Sequence, residues 1–378
     1  MKKCVVVSDS FKGTVSSREI CEIAQRVIPR HFPACEVVCI PVADGGEGTV
    51  DCFVQAMGAQ RVGVTVTNAL GEKSAAAYAR IGELAIIEMA AAAGLPQVGA
   101  LRCPGTATTY GVGELIAHAV DSGCRKILLG LGGSATNDGG CGCAAALGIR
   151  FYDADGQSFV PVGDTLGRIA RIDTAKADEL LRSVEIMVMC DVTNPLYGPT
   201  GAAYVFAPQK GADAEKVKSL DAGLRHFGDV IRSQYGLDVS AMPGAGAAGG
   251  MGAGCVALLG GTIQSGIDAV LDVTGFDRQL EGADLVITGE GRIDSQSADG
   301  KVVSGVARRT RAKGVPLIAI AGGIADSAGA VYDIGVSAMF STDRAALPVD
   351  MLGARSPGDY EATLSDIMSL IAIAERFA

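Results

Sequence analysis

The order of apolar runs, polar loops and helical segments predicts an α/β protein of two domains. One is a doubly wound, parallel-sheet domain assembled from both chain ends; the other is a second α/β domain inserted between them. Three observations predict this. Strand, polar loop, helix and strand succeed one another over residues 4–49, the order expected of a parallel α/β sheet. The same alternation returns over 284–320, and between the two lies a meander of short strands over 62–89. The length, 378 residues, exceeds what one domain ordinarily holds. The expected boundaries are 1–65 plus 285–378 for the discontinuous domain and 66–284 for the insertion.

Each element has a local reason. Cys4-Val5-Val6-Val7 reads as a buried strand leading into Ser8-Asp9-Ser10-Phe11-Lys12-Gly13. A helix is expected from Ser16, with Glu19 three residues on to complete a capping box. A second strand over 36–42 ends at Asp44-Gly45-Gly46-Glu47-Gly48-Thr49. Strands follow at 62–67, 75–80 and 84–89, then a helix over 109–121 and a buried strand, Lys126–Leu131. That strand opens into Gly132-Gly133-Ser134-Ala135-Thr136-Asn137-Asp138-Gly139-Gly140. Further strands are read near 147–152 and 185–190, the second ending at Asp191-Val192-Thr193-Asn194-Pro195, and a helix over 213–235. Residues 244–254 read as a glycine-rich loop before a short helix. A strand over Asp284–Thr288 ends at Gly289-Glu290-Gly291-Arg292-Ile293-Asp294; a helix at 300–313, a strand at 315–320 and a Gly322-Gly323 turn complete the set. Ligands of such sheets sit beyond the carboxyl ends of the strands, where these polar loops fall.

Composition narrows the function. Hydrophobic residues make up 48% and charged residues 20% of the chain, a globular balance rather than a disordered one. The net charge of −10 and the absence of a basic run argue against a nucleic-acid surface. Any bound phosphate or carboxylate must then meet single, placed cations and backbone N–H groups. The 52 glycines are about twice the usual share of roughly 7%. Their clustering beside charged residues reads as ligand loops rather than tight turns alone. Eleven scattered cysteines without a Cys-x-x-Cys pair read as reduced thiols of a cytoplasmic protein. The apolar run after Met1-Lys2-Lys3 is too short for a signal peptide, and no membrane span is expected.

Several catalytic patterns are missing. There is no Gly-x-x-x-x-Gly-Lys-Ser/Thr and no Gly-x-Ser-x-Gly, which argues against a Walker-type site and a nucleophile elbow. The three histidines, His31, His118 and His226, fall in expected helices or at a helix end, poor positions for a triad. Residues 244–249 match Gly-x-Gly-x-x-Gly, but Ala241-Met242-Pro243 before them is poor strand material. A phosphate-cradling turn is the better reading there.

What remains is a recurring mixture at strand ends: Asp9/Lys12, Asp44/Glu47, Asn137/Asp138, Asp191/Asn194, Gln209/Lys210 and Glu290/Arg292/Asp294/Lys301. Phosphoryl transfer uses this inventory. Carboxylates hold Mg2+, cations and N–H groups neutralise the phosphates, and one carboxylate accepts the proton of the attacking hydroxyl. Any single carboxylate could equally cap the next helix; the number of such loops favours a site. A non-catalytic sensor of a phosphorylated metabolite would need an output element, and no helix-turn-helix, basic face or coiled coil is present.

These loops carry a resemblance. Asp9-Ser10-Phe11-Lys12-Gly13, Pro41–Thr49, Tyr110-Gly111-Val112-Gly113-Glu114-Leu115, Gly132–Gly140, Cys190–Leu196, Pro208-Gln209-Lys210-Gly211-Ala212, Gly244–Gly252 and Thr288–Ser297 with Gly300-Lys301 resemble, in order and over nearly the whole chain, the bacterial glycerate kinases of the first family. The resemblance implies a flavodoxin-like domain made from both chain ends, an inserted α/β domain and an active site in the cleft between them. It also implies ATP and Mg2+ as cofactors and D-glycerate as substrate, converted to 2-phosphoglycerate in glycerate, glyoxylate or sugar-acid catabolism. A kinase for another small hydroxy acid is the alternative, and a homo-oligomer is compatible with the sequence. The chemistry assigns Asp191 as the base, with Asp44 or Glu290 as runner-up, and Arg292 to the substrate carboxylate. Lys12, Lys210 and Lys301 suit the ATP phosphates. Gly132, Gly133 and Ser134, with Asn137 in the same loop, suit a phosphate through backbone and side-chain donors. Glu290 and Asp294 are the candidate Mg2+ ligands.

Overall fold

Fourteen strands organise the described residues, 1–11, 14–42, 48–298, 301–345 and 355–377 of a computed structural model. In chain order they are β1 (Lys3–Ser8), β2 (Glu36–Pro41), β3 (Gln60–Thr67), β4 (Lys73–Ile81), β5 (Leu84–Glu88), β6 (Lys126–Gly130) and β7 (Arg150–Tyr152). The remainder are β8 (Ser158–Phe159), β9 (Arg171–Asp173), β10 (Glu185–Met189), β11 (Thr262–Gln264), β12 (Leu285–Ile293), β13 (Leu317–Ile324) and β14 (Ala338–Ser341). The chain divides into two compact units. One takes Met1–Ala43, Gln55–Met57 and Ile267–Ala378; the other takes Asp44–Val54 and Gly58–Gly266. Lys12 and Asp44 lie outside the described residues.

The unit built from both chain ends holds a five-stranded sheet in the order β14-β13-β12-β1-β2, parallel throughout. Counted along this unit the order is 2-1-3-4-5, the flavodoxin-like doubly wound arrangement. Alternate strand residues face opposite layers, as the period of two demands. Cys4, Val6, Ile287 and Ile320 pack with the helices Ser17–His31 and Ser356–Ala374 through Ile20, Ala24, Val27, Tyr360 and Leu364. Val5, Val7, Val286 and Ala319 pack instead with Leu271, Phe276, Val303, Val306 and Val331. The near-continuous apolar strands follow from burial on both faces. Ser16 caps the first helix, and the full capping box with Glu19 is present.

In the same unit β12 runs on to Ile293 and β13 to Ile324, so Glu290, Arg292 and the Gly322-Gly323 pair are strand residues. A break after Thr288 and a turn at the two glycines were expected. The parallel ladder continues through Arg292 opposite Gly323 and Ile293 opposite Ile324. A Cβ at Gly322 would stand 2.6 Å from the Gly291 carbonyl oxygen, so this glycine permits close strand approach.

The other unit holds a six-stranded sheet, β11-β10-β6-β5-β4-β3. Its β11, β10, β6 and β5 are parallel, and β4 and β3 continue it antiparallel as the expected meander. A separate antiparallel sheet, β8-β7-β9, completes the strands. One core spans this unit, gathering Ile87, Leu129 and Val188 of the sheet with Val112, Leu115 and Ile116 of the helix Tyr110–Asp121. Leu220, Leu224 and Phe227 of the helix Ala214–Tyr235 join the same core.

Candidate functional site

In the unit built from the chain ends, β1 and β12 deliver carboxylates side by side. Asp9 follows β1, and its N–H donates to the Gly289 carbonyl of β12 at 2.9 Å. Glu290 is buried at 6% exposure, and the hydroxyl of Ser297 donates to its Oε1. Ser297 Oγ also accepts the N–H of Asp294 at 3.1 Å, so one serine joins both carboxylate-bearing residues. Asp294 Oδ1 in turn accepts the Gln296 N–H at 2.9 Å. Burial pushes the Glu290 carboxyl above the usual glutamate range, Asp9 and Asp294 push the same way, and Ser297 and Lys301 oppose them. Lys301 is exposed at the N-terminal end of the helix Val302–Lys313. Arg292 shares the Glu290 face of β12 by strand period. It is exposed and its guanidinium makes no ion pair among the described residues.

Glu290 and Asp294 are hard oxygen donors, the kind Mg2+ takes, and Mg2+ sites commonly use one or two carboxylates with substrate phosphates completing the shell. Among the described residues no group of three or more His, Cys, Asp or Glu side chains is arranged to hold a metal ion. The pair therefore fits a Mg2+ held jointly with phosphate oxygens, not a cage made by the protein alone.

In the other unit the stretch after β6 is fixed from beneath. Gly133 adopts a φ of +74°, its carbonyl accepts the Leu95 N–H at 2.9 Å, and the Ala135 N–H donates to the Ala93 carbonyl at 2.9 Å. Ser134 is buried. Lys210, in the 3-10 turn Pro208–Lys210, is only 2% exposed. Its Nζ donates to Ser134 Oγ at 2.7 Å and to the Thr136 carbonyl at 2.7 Å. A direct reach to ATP phosphates was expected of this lysine; the structure instead spends it on the β6 loop. Burial lowers it to about 7, with Asp138 acting in the opposite direction. Asn137 is fully buried, and neither Oδ1 nor Nδ2 has a hydrogen-bond partner among the described residues.

Asp138 organises the same place. It accepts the N–H and hydroxyl of Thr109, each at 2.8 Å, and the N–H groups of Gly140 and Gly142 at 3.1 and 3.2 Å. Burial raises its carboxyl above the usual aspartate range, and those four bonds oppose the rise. Asp191 follows β10, is exposed, and accepts the Gly266 N–H at 2.7 Å through Oδ1. The neighbouring loop is anchored by Asn194 Nδ2 donating to the Thr200 carbonyl at 2.8 Å and by Asp221 accepting the Gly198 N–H at 2.7 Å.

A further correction and an omission concern this unit. The glycine-rich stretch 244–254 is buried, not an open phosphate cradle. A Cβ at Gly249 would stand 2.1 Å from the Thr136 carbonyl oxygen, and one at Gly254 would stand 2.1 Å from that of Gly139. These glycines let backbones meet. Glu88 was not anticipated. It ends β5, is buried, and accepts the Val50 N–H in the first turn of the helix Thr49–Met57. The signal was available as a single carboxylate closing the apolar run Leu84-Ala85-Ile86-Ile87.

Comparison with known proteins places this geometry in a group. The sequence profile described as "Glycerate kinase family" matches residues 4–372. A protein of Bacillus cereus named glycerate kinase is 45% identical over 377 residues, covering 99% of each chain. One of Escherichia coli named glycerate 2-kinase is 45% identical over 343 residues, covering 90% of each. A crystal structure of a Salmonella typhimurium LT2 protein, named provisionally as glycerate kinase 2, superposes with a TM-score of 0.87. It is 39% identical and 99% of each chain is covered.

Proposed function

The chain belongs to the glycerate kinase family, whose members are phosphotransferases, and from that premise we propose that it transfers the terminal phosphoryl group of ATP to the 2-hydroxyl of D-glycerate. The observation that supports the 2-position is the identity of 45% over 90% of the chain to the relative named glycerate 2-kinase. The reaction fits a cytoplasmic enzyme of glycerate, glyoxylate or sugar-acid catabolism. Among the described residues no helix is long and apolar enough to cross a membrane.

The roles follow from the chemistry of each group. Asp191, carried to the end of a buried parallel strand, takes the hydroxyl proton as the oxygen attacks. Its Oδ1 is oriented by the Gly266 N–H, and Asp44 or Glu290 is the alternative base. Arg292, exposed and without a carboxylate partner among the described residues, binds the glycerate carboxylate through two parallel N–H groups. Gly132, Gly133, Ser134 and Asn137 meet phosphate, and Lys301 and Lys12 add positive charge. Glu290 and Asp294 hold Mg2+, which when bound neutralises charge on the phosphate oxygens.

The test is ADP release by the purified protein with Mg-ATP, with and without D-glycerate, with chelator and L-glycerate as controls. Release that requires both D-glycerate and Mg2+, with 2-phosphoglycerate identified as product, is the expected result. Formation of 3-phosphoglycerate would overturn the position. Release with another hydroxy acid but none with D-glycerate would overturn the substrate.

A further inference from the structure

Lys210 differs from Arg292 and Lys301 in being buried, and its bonding constrains a neighbour. An ammonium has three protons and no lone pair, so it can only donate. Ser134 Oγ, 2.7 Å away, must therefore accept, and its own proton is turned toward a different partner. A neutral amine has a lone pair and permits the reverse, with Ser134 donating to Lys210. The second contact, to the Thr136 carbonyl at 2.7 Å, holds Nζ in place in either state. The charged form of Lys210 therefore fixes the Ser134 hydroxyl away from Nζ, and the neutral form leaves both directions open.

The surroundings leave that hydroxyl available for a ligand. Ser134 donates to no described residue, and in the same stretch neither atom of the fully buried Asn137 amide is hydrogen-bonded to one. Asp138 is the charged group acting on Lys210, and its oxygens are occupied by Thr109, Gly140 and Gly142. From the outer side of the turn, the exposed Arg102 donates to the Gln209 carbonyl at 2.9 Å, not to Lys210.

The geometry points to Lys210 as a positioning residue that, without touching phosphate, fixes Ser134 as a hydrogen-bond donor to a phosphate oxygen of ATP. This rests on the reading of Gly132–Ser134 as a phosphate loop. It carries a consequence that a purely structural lysine lacks. Burial lowers Lys210 to about 7, so the free protein is largely neutral at that site in mildly alkaline solution. A phosphate that accepts the Ser134 proton favours the charged form, which alone holds Ser134 as a donor away from Nζ, so ATP binding is expected to take up a proton there.

Calorimetric titration of ATP into the full chain at about pH 8, where the terminal phosphate is already ionised, reads this directly. Repeating it in buffers of different ionisation enthalpy gives the number of protons taken up. Wild type should take up a proton fraction approaching one. Lys210→Met should take up essentially none, and Ser134→Ala should lose the uptake and about tenfold in affinity, the scale of one hydrogen bond to a charged group. Undiminished uptake by Lys210→Met, beside weakened binding by Ser134→Ala, would overturn the positioning role and leave the phosphate loop standing. Wild-type affinity in Ser134→Ala would overturn the phosphate loop and the role with it. If Lys210→Met does not fold, Ser134→Ala decides alone, since persistent uptake in that variant overturns the proposal.

Discussion

Glu290 shows how a single position can carry both a structural and a chemical demand. Burial raises its carboxyl, and the nearby Asp9 and Asp294 add to that rise. The ionised form is thus available only at a higher pH than for an ordinary glutamate, whose value is 4.5. If the carboxylate is needed for Mg2+, the acid limb of the kcat/KM profile lies above pH 4.5, and Glu290→Gln removes that limb while raising the Mg2+ concentration for half-maximal rate. An unchanged Mg2+ dependence in the variant would take Glu290 out of the metal site. Asp191 makes a different demand. A group that accepts a proton in the transition state is worth about 100-fold or more in rate, so Asp191→Asn should lower kcat by at least that factor. The same variant should bind ATP as wild type does, measured by calorimetry. A kcat within a few-fold of wild type would remove Asp191 from the role and leave Asp44 or Glu290 to fill it.

Among the elements, the segment Ala247–Leu259 shows what its glycines do. Ala248, Gly249 and Gly250 have φ values of 52°, 68° and 90°, three consecutive left-handed residues that ordinary side chains resist. At Gly249 a Cβ would also overlap the Thr136 carbonyl oxygen and stand 2.5 Å from the Asn137 Cα. Gly249→Ala should therefore cost about 3 kcal/mol or more, the left-handed penalty added to overpacking against backbone, and should weaken ATP binding by displacing residues 136 and 137. Gly260→Ala is the control. Its φ is +65° but a Cβ there meets nothing within 4 Å, so it should cost about 1–2 kcal/mol and leave ATP binding alone. Urea midpoints and ATP calorimetry separate the two. The elements also show where a sequence stops being readable. The Ser16 and Glu19 capping box, the meander and the parallel strands rest on neighbouring residues and on period, and they were legible. The reach of β12 and β13 was not, because Gly322-Gly323 reads as a turn until a partner strand is known. Nor was the burial of Lys210, whose partner Ser134 lies 76 positions away. The polar strand-end loops were visible in the sequence; which of their groups face a ligand and which face one another depends on such distant pairings.

For the whole molecule, buried titratable groups set how stability depends on pH, and two sets act in opposite directions. Lys210 has an ordinary value of 10.5 lowered to about 7 on folding. Between those values the unfolded chain binds the extra proton, so the lysine's contribution to stability rises with pH across that window. The buried thiols Cys4, Cys21, Cys124, Cys141, Cys143 and Cys255 are raised above an ordinary 9.0, Cys255 to about 12. Their contribution is whole below 9.0 and is lost as pH climbs beyond it, because only the unfolded chain then releases protons. Each group changes stability by about 1.4 kcal/mol per pH unit within its window. From pH 7 to 9 the lysine acts while these thiols do not, so the stability of wild type relative to Lys210→Met should improve by about 2–3 kcal/mol. Above pH 9 these six thiols oppose one lysine, and the wild-type urea midpoint should fall steeply. Cys141→Ala with Cys143→Ala should make that fall shallower even if the double variant starts from a lower midpoint, since it removes two of the groups that release protons only on unfolding. A parallel fall in wild type and the double variant would show that these two thiols ionise as readily in the folded protein as in the unfolded chain, contrary to their burial against the glycine-rich segments of the core.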